Sequence, residues 1–233
     1  MKIVLCAGQK SSGSTWLYNV AIRVLKEKVS HGDGGRVCAF YADNFAMIPK
    51  SAEKADVLVI KTHEPGAELL FLARFARAKV FVTVREPRDA AASLMQRFGH
   101  SFASALRDMR VIGAHMVALR KGAVVMHYED GFHRSEKTVG DIARHLGVKL
   151  SAAARKRIFR ALTPDAVKRA IRKVHASAAD PDDFDPRTHW HPGHVGDGRV
   201  GKYDAVLTPD QQKQVLAATA AYARAFGYRA RKK

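Results

Sequence analysis

Five apolar runs of strand length alternate with longer stretches of helical period, and that alternation confines the chain to βαβ units stacked into a parallel sheet. The runs are Lys2 to Ala7, Val37 to Phe40, Val57 to Lys61, Lys79 to Val84 and Ala123 to His127. Apolar spacing predicts helices over Ser14 to Lys28, Pro87 to Arg97, Ser101 to Arg120, Ser135 to Leu146, Ala152 to Ala161, Pro164 to Val174 and Pro209 to Ala225. Parallel neighbours can be joined only by long crossovers, which place helices on both faces of the sheet. The expected fold is α/β, in three layers, with a central parallel sheet of about five strands flanked by helices.

At 233 residues and 47% hydrophobic content the chain suits one substantial core, so residues 1–233 are expected to form a single domain. No run reaches the roughly 18 apolar residues of a membrane helix, and Ile3 to Ala7 is too short for a secretory core before Gln9 and Lys10 interrupt it. A cytoplasmic location is the expectation. Cys6 and Cys38 lie in strand-like stretches without metal-type spacing, which suits buried, reduced thiols. Lys and Arg number 40 against 22 Asp and Glu, a formal charge of +18 that attracts anions without choosing among them. Residues 177–203, with Asp180, Pro181, Asp182, Asp183, Asp185, Pro186 and four glycines from Gly193 to Gly201, read as a loop and a candidate lid.

Open parallel sheets bind ligands beyond the carboxyl ends of their strands. The first strand runs into Gly8-Gln9-Lys10-Ser11-Ser12-Gly13-Ser14-Thr15-Trp16 and then a helix. Turn amides, the free amides of the first helical turn and the helix dipole converge there into an anion cradle. Gly8 and Gly13 have the Walker A spacing, although Ser14 stands where the lysine belongs and the lysine lies upstream at Lys10. At the end of the third strand, alternation puts Lys61 and His63 on one side. His63 has the chemistry of a general base, and a neighbouring ammonium would keep it unprotonated. The fourth strand closes on Arg85-Glu86-Pro87-Arg88-Asp89, with Ser93 two turns into the next helix, an arrangement suited to a phosphate monoester.

These pieces, in this order, resemble the PAPS-dependent sulfotransferase family, whose members use 3'-phosphoadenosine-5'-phosphosulfate (PAPS) on a P-loop-type fold. The family's phosphosulfate loop is echoed by Lys10-Ser11-Ser12-Gly13-Ser14-Thr15-Trp16, and its K-T-H matches Lys61-Thr62-His63. Its 3'-phosphate motif is similar to Arg85-Glu86-Pro87-Arg88-Asp89-Ala90-Ala91-Ala92-Ser93, and its Y-E-D to Tyr128-Glu129-Asp130. Its final glycine-rich loop resembles Gly198-Arg199-Val200-Gly201-Lys202-Tyr203, ahead of Leu207-Thr208-Pro209. Two positions depart from the pattern. Ser11 occupies the aligned lysine position, so Lys10 must reach the sulfuryl through a shift. Gly196-Asp197-Gly198 replaces Arg-Lys-Gly, so Arg199, His194 or another cation must serve the 3'-phosphate.

The resemblance implies in-line sulfuryl transfer to an acceptor hydroxyl or amine. His63 would be the base, and Lys61 and Lys10 would act with it. Ser11, Ser12, Gly13, Ser14, Thr15, Trp16, Arg85, Ser93, Tyr128, Gly198 and Arg199 would hold the nucleotide, and no metal would be required. The expected acceptor is a small molecule or a saccharide, with anionic character among the options and peripheral contact with an anionic surface compatible with the charge. Two other readings stand beside it: a nucleotide-dependent kinase or NTPase, disfavoured by the missing Walker lysine and Mg²⁺-binding acid, and a noncatalytic polyanion-binding module. The module would use Arg155-Lys156-Arg157, Arg160, Lys168-Arg169, Arg172-Lys173 and the tail Arg229 to Lys233, though such faces are more often solvated surface than a dedicated nucleic-acid site. His189, His191 and His194 with Asp197 suit a lid or acceptor pocket better than a zinc centre.

Overall fold

The computed structural model describes residues 1–30, 35–175 and 184–228. Five strands form one parallel sheet: β1 (Lys2–Gly8), β2 (Val37–Tyr41), β3 (Val57–Thr62), β4 (Lys79–Val84) and β5 (Val124–His127). Their order is β2-β3-β1-β4-β5, so the chain crosses β1 between β3 and β4 and a crevice opens beyond the carboxyl ends at that switch. The register aligns those ends. Tyr41 lies opposite Lys61, Ala7 opposite Thr62, Gly8 opposite Thr83 and Val84 opposite His127.

Side chains alternate across the strands and fill two cores. Val4, Cys6, Val59 and Phe81 pack on one face against α1 (Ser14–Ser30), α5 (Glu136–Leu146), α6 (Ala152–Ala161) and α7 (Pro164–His175). Leu5, Ala7, Leu58, Ile60, Val80, Val82 and Val84 pack on the other against α2 (Ala67–Phe75), α4 (Phe102–Leu119) and α10 (Ala220–Phe226). A third cluster joins α3 (Pro87–Phe98) and α4 to α8 (Tyr203–Val206) and α9 (Pro209–Ala218). This is the three-layer α/β architecture that the alternation of runs predicts.

Local chemistry sets the helix ends that matter for the site. Glu86 caps α3 by accepting from the Asp89 amide at 3.0 Å, and Pro87 supplies a first residue whose missing N–H costs nothing there. Thr208 and Gln211 form a reciprocal capping box at the start of α9. Four expectations need correction. A helix absent from the sequence reading, α2, lies between β3 and β4. The single helix expected over Pro209 to Ala225 is two, broken at Thr219, whose hydroxyl turns back to the Val215 carbonyl at 2.7 Å. Cys38 is only half-buried because β2 is an edge strand, whereas Cys6 is fully enclosed. Arg155 and Arg157 are paired with Glu136 and Glu27, which removes part of the expected basic face. The basic tail from Arg229 and residues 177–183 of the long loop lie outside the described residues. Among the described residues no helix is long and apolar enough to cross a membrane.

Candidate active site

The crevice is a cavity of about 820 Å³ lined by residues from every strand end and by the loop from Phe184 to Lys202. Its first wall is the β1–α1 turn. Ser11 and Gly13 both have positive φ, 62° and 83°, which curls consecutive amides toward one point. Gly8 permits the turn to sit so close: a Cβ there would lie 2.2 Å from Thr83 Oγ1. Ser11, Gly13, Ser14, Thr15 and Trp16 line the cavity. The hydroxyl of Ser12 does not, because it is buried and bonded to the Gln9 carbonyl at 2.5 Å and to Thr83 Oγ1 at 2.7 Å. Lys10 lines the cavity with its Nζ held by Asp108 at 2.8 Å.

On the adjoining strand, Lys61 and His63 project together as alternation requires, with Lys61 Nζ 2.9 Å from His63 Nε2. His63 Nδ1 is 2.5 Å from the carbonyl oxygen of Gly8. A carbonyl only accepts, so Nδ1 carries the hydrogen and the Nε2 lone pair faces the Lys61 ammonium. Removal from bulk water, reinforced by Lys61, holds the ring well below the ordinary histidine range and therefore neutral. Burial also lowers Lys61, to about 8, against the opposing pull of Asp43.

Arg85 immediately follows β4, with its side chain buried. Its Nη1 donates to the Ser11 carbonyl at 3.1 Å, its Nη2 to the Arg199 carbonyl at 2.9 Å, and its guanidinium lies 4.2 Å from the centre of the Tyr128 ring. Ser93 and Gly198 line the same region. The Arg199 side chain is exposed and stands outside the lining, so it contributes its carbonyl rather than its charge. His194 supplies no charge either, since burial, with His191 and Arg97 nearby, keeps it neutral. The cations in this part of the cavity are instead Arg97, Arg134 and Lys202, the last buried and paired with Asp197 at 2.8 Å. None of the three was singled out from the sequence. Lys202 carried the best available signal, its place in the glycine-rich loop.

The glycine-rich loop is tied back by its neighbours. Asp89, fully buried, accepts from the amides of Gly201 at 2.7 Å and Tyr203 at 3.1 Å. Arg97 donates to the carbonyls of Gly193 and His194, and Asn19 of α1 donates to Thr188 at 2.8 Å. A run of rings continues from His63: Tyr41, His189, Phe184, His191 and Phe98 lie successively 6.0, 5.2, 6.3, 4.6 and 5.3 Å apart. Burial, with Lys61 close by, lowers His189 to about 4.

The cavity carries seven lysine and arginine side chains and one carboxylate, Asp197. Several lining groups are buried polar atoms without partners among the described residues: Ser11 Oγ, Trp16 Nε1, Arg85 Nε and His133 Nδ1. Such atoms cost roughly 1–3 kcal/mol each unless a ligand or water satisfies them. Orphaned donors, excess positive charge and an amide cradle fit a nucleotide bearing phosphates at two ends.

No protein-family model and no curated protein sequence matches the chain. Solved structures do. Mouse sulfotransferase SULT7A1 complexed with PAP aligns with a TM-score of 0.66 at 17% identity, over 96% of this chain and 85% of that one. Retinol dehydratase in a complex with retinol and PAP aligns at 0.63 and 13% identity, over 96% and 82%. Retinol dehydratase with androsterone and PAP aligns at 0.62 and 13%, over 99% and 84%. The architecture of this chain is thus the fold of these PAP-bound structures, which is the fold that its motif resemblance implies.

Proposed function

We propose that the chain is a sulfotransferase that moves a sulfuryl group from PAPS to an acceptor hydroxyl or amine. The observation that carries this reading is the convergence of the Ser11 to Trp16 turn, Arg85 with Ser93, and His63 on one cavity. When bound, PAPS would supply an activated sulfuryl group whose phosphosulfate bond breaks as the acceptor attacks. Arg85, Ser93, Arg134 and Lys202 would hold the 3'-phosphate, and the amides and hydroxyls of the turn would hold the 5' end. Trp16 and Tyr128 would position the base and ribose. His63, neutral and hydrogen-bonded through Nδ1, has Nε2 as the atom that accepts the acceptor's proton. Lys61 must then leave Nε2 and turn its N–H groups toward the oxygen where charge develops. Lys10 would join it only by leaving Asp108.

At the acceptor end the wall is made of Tyr41, Phe98, Phe184 and Trp190, with His189 and His194 neutral near pH 7. That lining suits an uncharged acceptor with a ring face more than an anionic saccharide. Retinol and androsterone, the molecules bound by the retinol dehydratase structures, are small ring-bearing compounds of that general kind. Labelled PAPS offered with phenols, alcohols, amines and anionic saccharides tests both statements. Transfer should be seen and should fall by about 10²- to 10⁴-fold in His63→Ala with PAP retention kept. Unchanged transfer in that variant removes His63 from its role; transfer to anionic saccharides alone overturns the acceptor assignment.

A further inference from the structure

The carboxylate of Asp43 stands just past the end of β2, outside the cavity lining, and four donors converge on it. Oδ1 accepts from Thr62 Oγ1 at 2.6 Å and from the backbone amides of His63 and Glu64, each at 3.0 Å. Oδ2 accepts from the Tyr41 hydroxyl at 2.6 Å. Lys61 Nζ lies 5.0 Å from the centre of the Tyr41 ring and 2.9 Å from His63 Nε2. Asp43, Tyr41, Lys61 and His63 thus close a ring of contacts, with the negative charge on one side and the ammonium on the other.

That ring answers a problem posed by the site itself. His63 Nε2 can take a proton only after Lys61 withdraws, and among the described residues Lys61 and the backbone carbonyl of Gly8 are the two groups bonded to the imidazole nitrogens. What remains is the Nδ1–H bond to Gly8 and the grip on the His63 backbone. We propose that Asp43 is the positioning residue of this site: it fixes the Thr62–His63–Glu64 turn so that the imidazole keeps its tautomer when Lys61 moves. The proposal rests on the sulfotransferase reading for its consequence in turnover, but the geometry it invokes is present without any ligand.

The charged and titratable groups around Lys61 are few. Cys6 on β1 is a thiol that burial pushes up to about 12, so it stays neutral; Lys10 repels; Tyr41, His63 and His189 are neutral near pH 7. Asp43 is the nearby negative charge among those acting on Lys61, and hydrogen bonding holds its carboxyl below the usual range despite burial. Replacing it should therefore lower the pH at which Lys61 loses its proton.

The test uses the full chain, with Asp43→Asn, which keeps an acceptor oxygen but no charge, and Asp43→Ala, which keeps neither. Ring-nitrogen and lysine side-chain NMR of the ligand-free proteins would follow the His63 tautomer and the Lys61 titration, beside kcat and KM for labelled PAPS over acid to alkaline pH. Expected are a single Nδ1–H tautomer in the wild type, a mixed one in Asp43→Ala, and a Lys61 titration moved to lower pH in Asp43→Asn. The alkaline limb of kcat should move with it, KM for PAPS should hold, and kcat in Asp43→Ala should drop on the order of a hundredfold. A Lys61 titration unmoved in Asp43→Asn, with the tautomer intact in Asp43→Ala, overturns the proposal. If the NMR changes occur while the wild type transfers no sulfuryl group to any acceptor, the activity assignment fails and the role of Asp43 in the site's geometry stands.

Discussion

The two walls of the cavity are held by different means. One is made of strand ends and the turn between β1 and α1, where ladder register places every residue: Thr62 beside Ala7, Thr83 beside Gly8, Tyr41 beside Lys61. The other, from Phe184 to Lys202, has no regular element and hangs from side chains, Asn19, Arg97, Arg134 and Asp89, that reach its backbone. Backbone ladders fix a geometry shared by many neighbours at once, whereas a loop tied at single points can be loosened by one substitution. The difference matches a division of labour in the proposed activity: nucleotide and base on the rigid side, acceptor on the adaptable side.

Changing Arg85 probes the rigid wall and should have the largest effect on nucleotide binding. Its removal takes away a charge buried against two carbonyls, so Arg85→Ala should weaken PAP retention roughly 10- to 150-fold, the value of one or more bonds to a charged group. Equilibrium binding to immobilised PAP reads this directly, and a change below threefold would mean that the wall does not grip the 3'-phosphate. Asn19→Ala tests the loop. It cuts the bond to Thr188 and a second one to the Thr15 carbonyl at 2.9 Å while leaving every lining side chain in place, and should raise the acceptor KM about fivefold, the value of one net hydrogen bond, with PAP retention changed less than that. If PAP binding falls equally, the two walls are one mechanical unit and the distinction fails.

Acid should expose a smaller difference. His63, His133, His189 and His194 all titrate below the ordinary value when folded, the second and third at about 4, chiefly through burial. In the unfolded chain each gains a proton near pH 6.5, so between about 6.5 and 4 the unfolded state binds more protons and stability is lost as pH falls. A fall in Tm of roughly 3–5 °C per pH unit for each of these histidines is expected over that window. His189→Gln should flatten the slope; an unchanged slope would show that the loop histidines are already solvated.

How much of this could be read from the chain alone follows the same division. Strand-end motifs are contiguous in sequence, so Lys61 with His63 and Arg85 with Ser93 can be paired from the sequence alone. Asp43, Asn19 and Arg97 act across 19 to 169 residues of sequence and nothing in their immediate neighbours marks them, while Lys202 has only the glycine-rich loop around it as a signal. The helix α2 escaped notice because Ala67–Phe75 is apolar nearly throughout and leaves Phe71 and Phe75 exposed, which blurs any amphipathic period. The substitution of Asp197 at the family's lysine position could be seen, but not that Lys202 would neutralise it.

The last helix reaches the centre of the site. On α10, Tyr222 accepts from the Arg85 amide at 3.0 Å and lies 2.5 Å from Gln9 Oε1, joining the ends of β1 and β4 through a bond that spans 213 positions of the chain. During vectorial synthesis, every catalytic candidate would leave the ribosome before the strut that braces the first of them. A nascent polypeptide that had not yet reached α10 would carry the complete set of motifs and still lack the brace between Gln9 and Arg85, so the proposed cradle is stiffened only once α10 has docked.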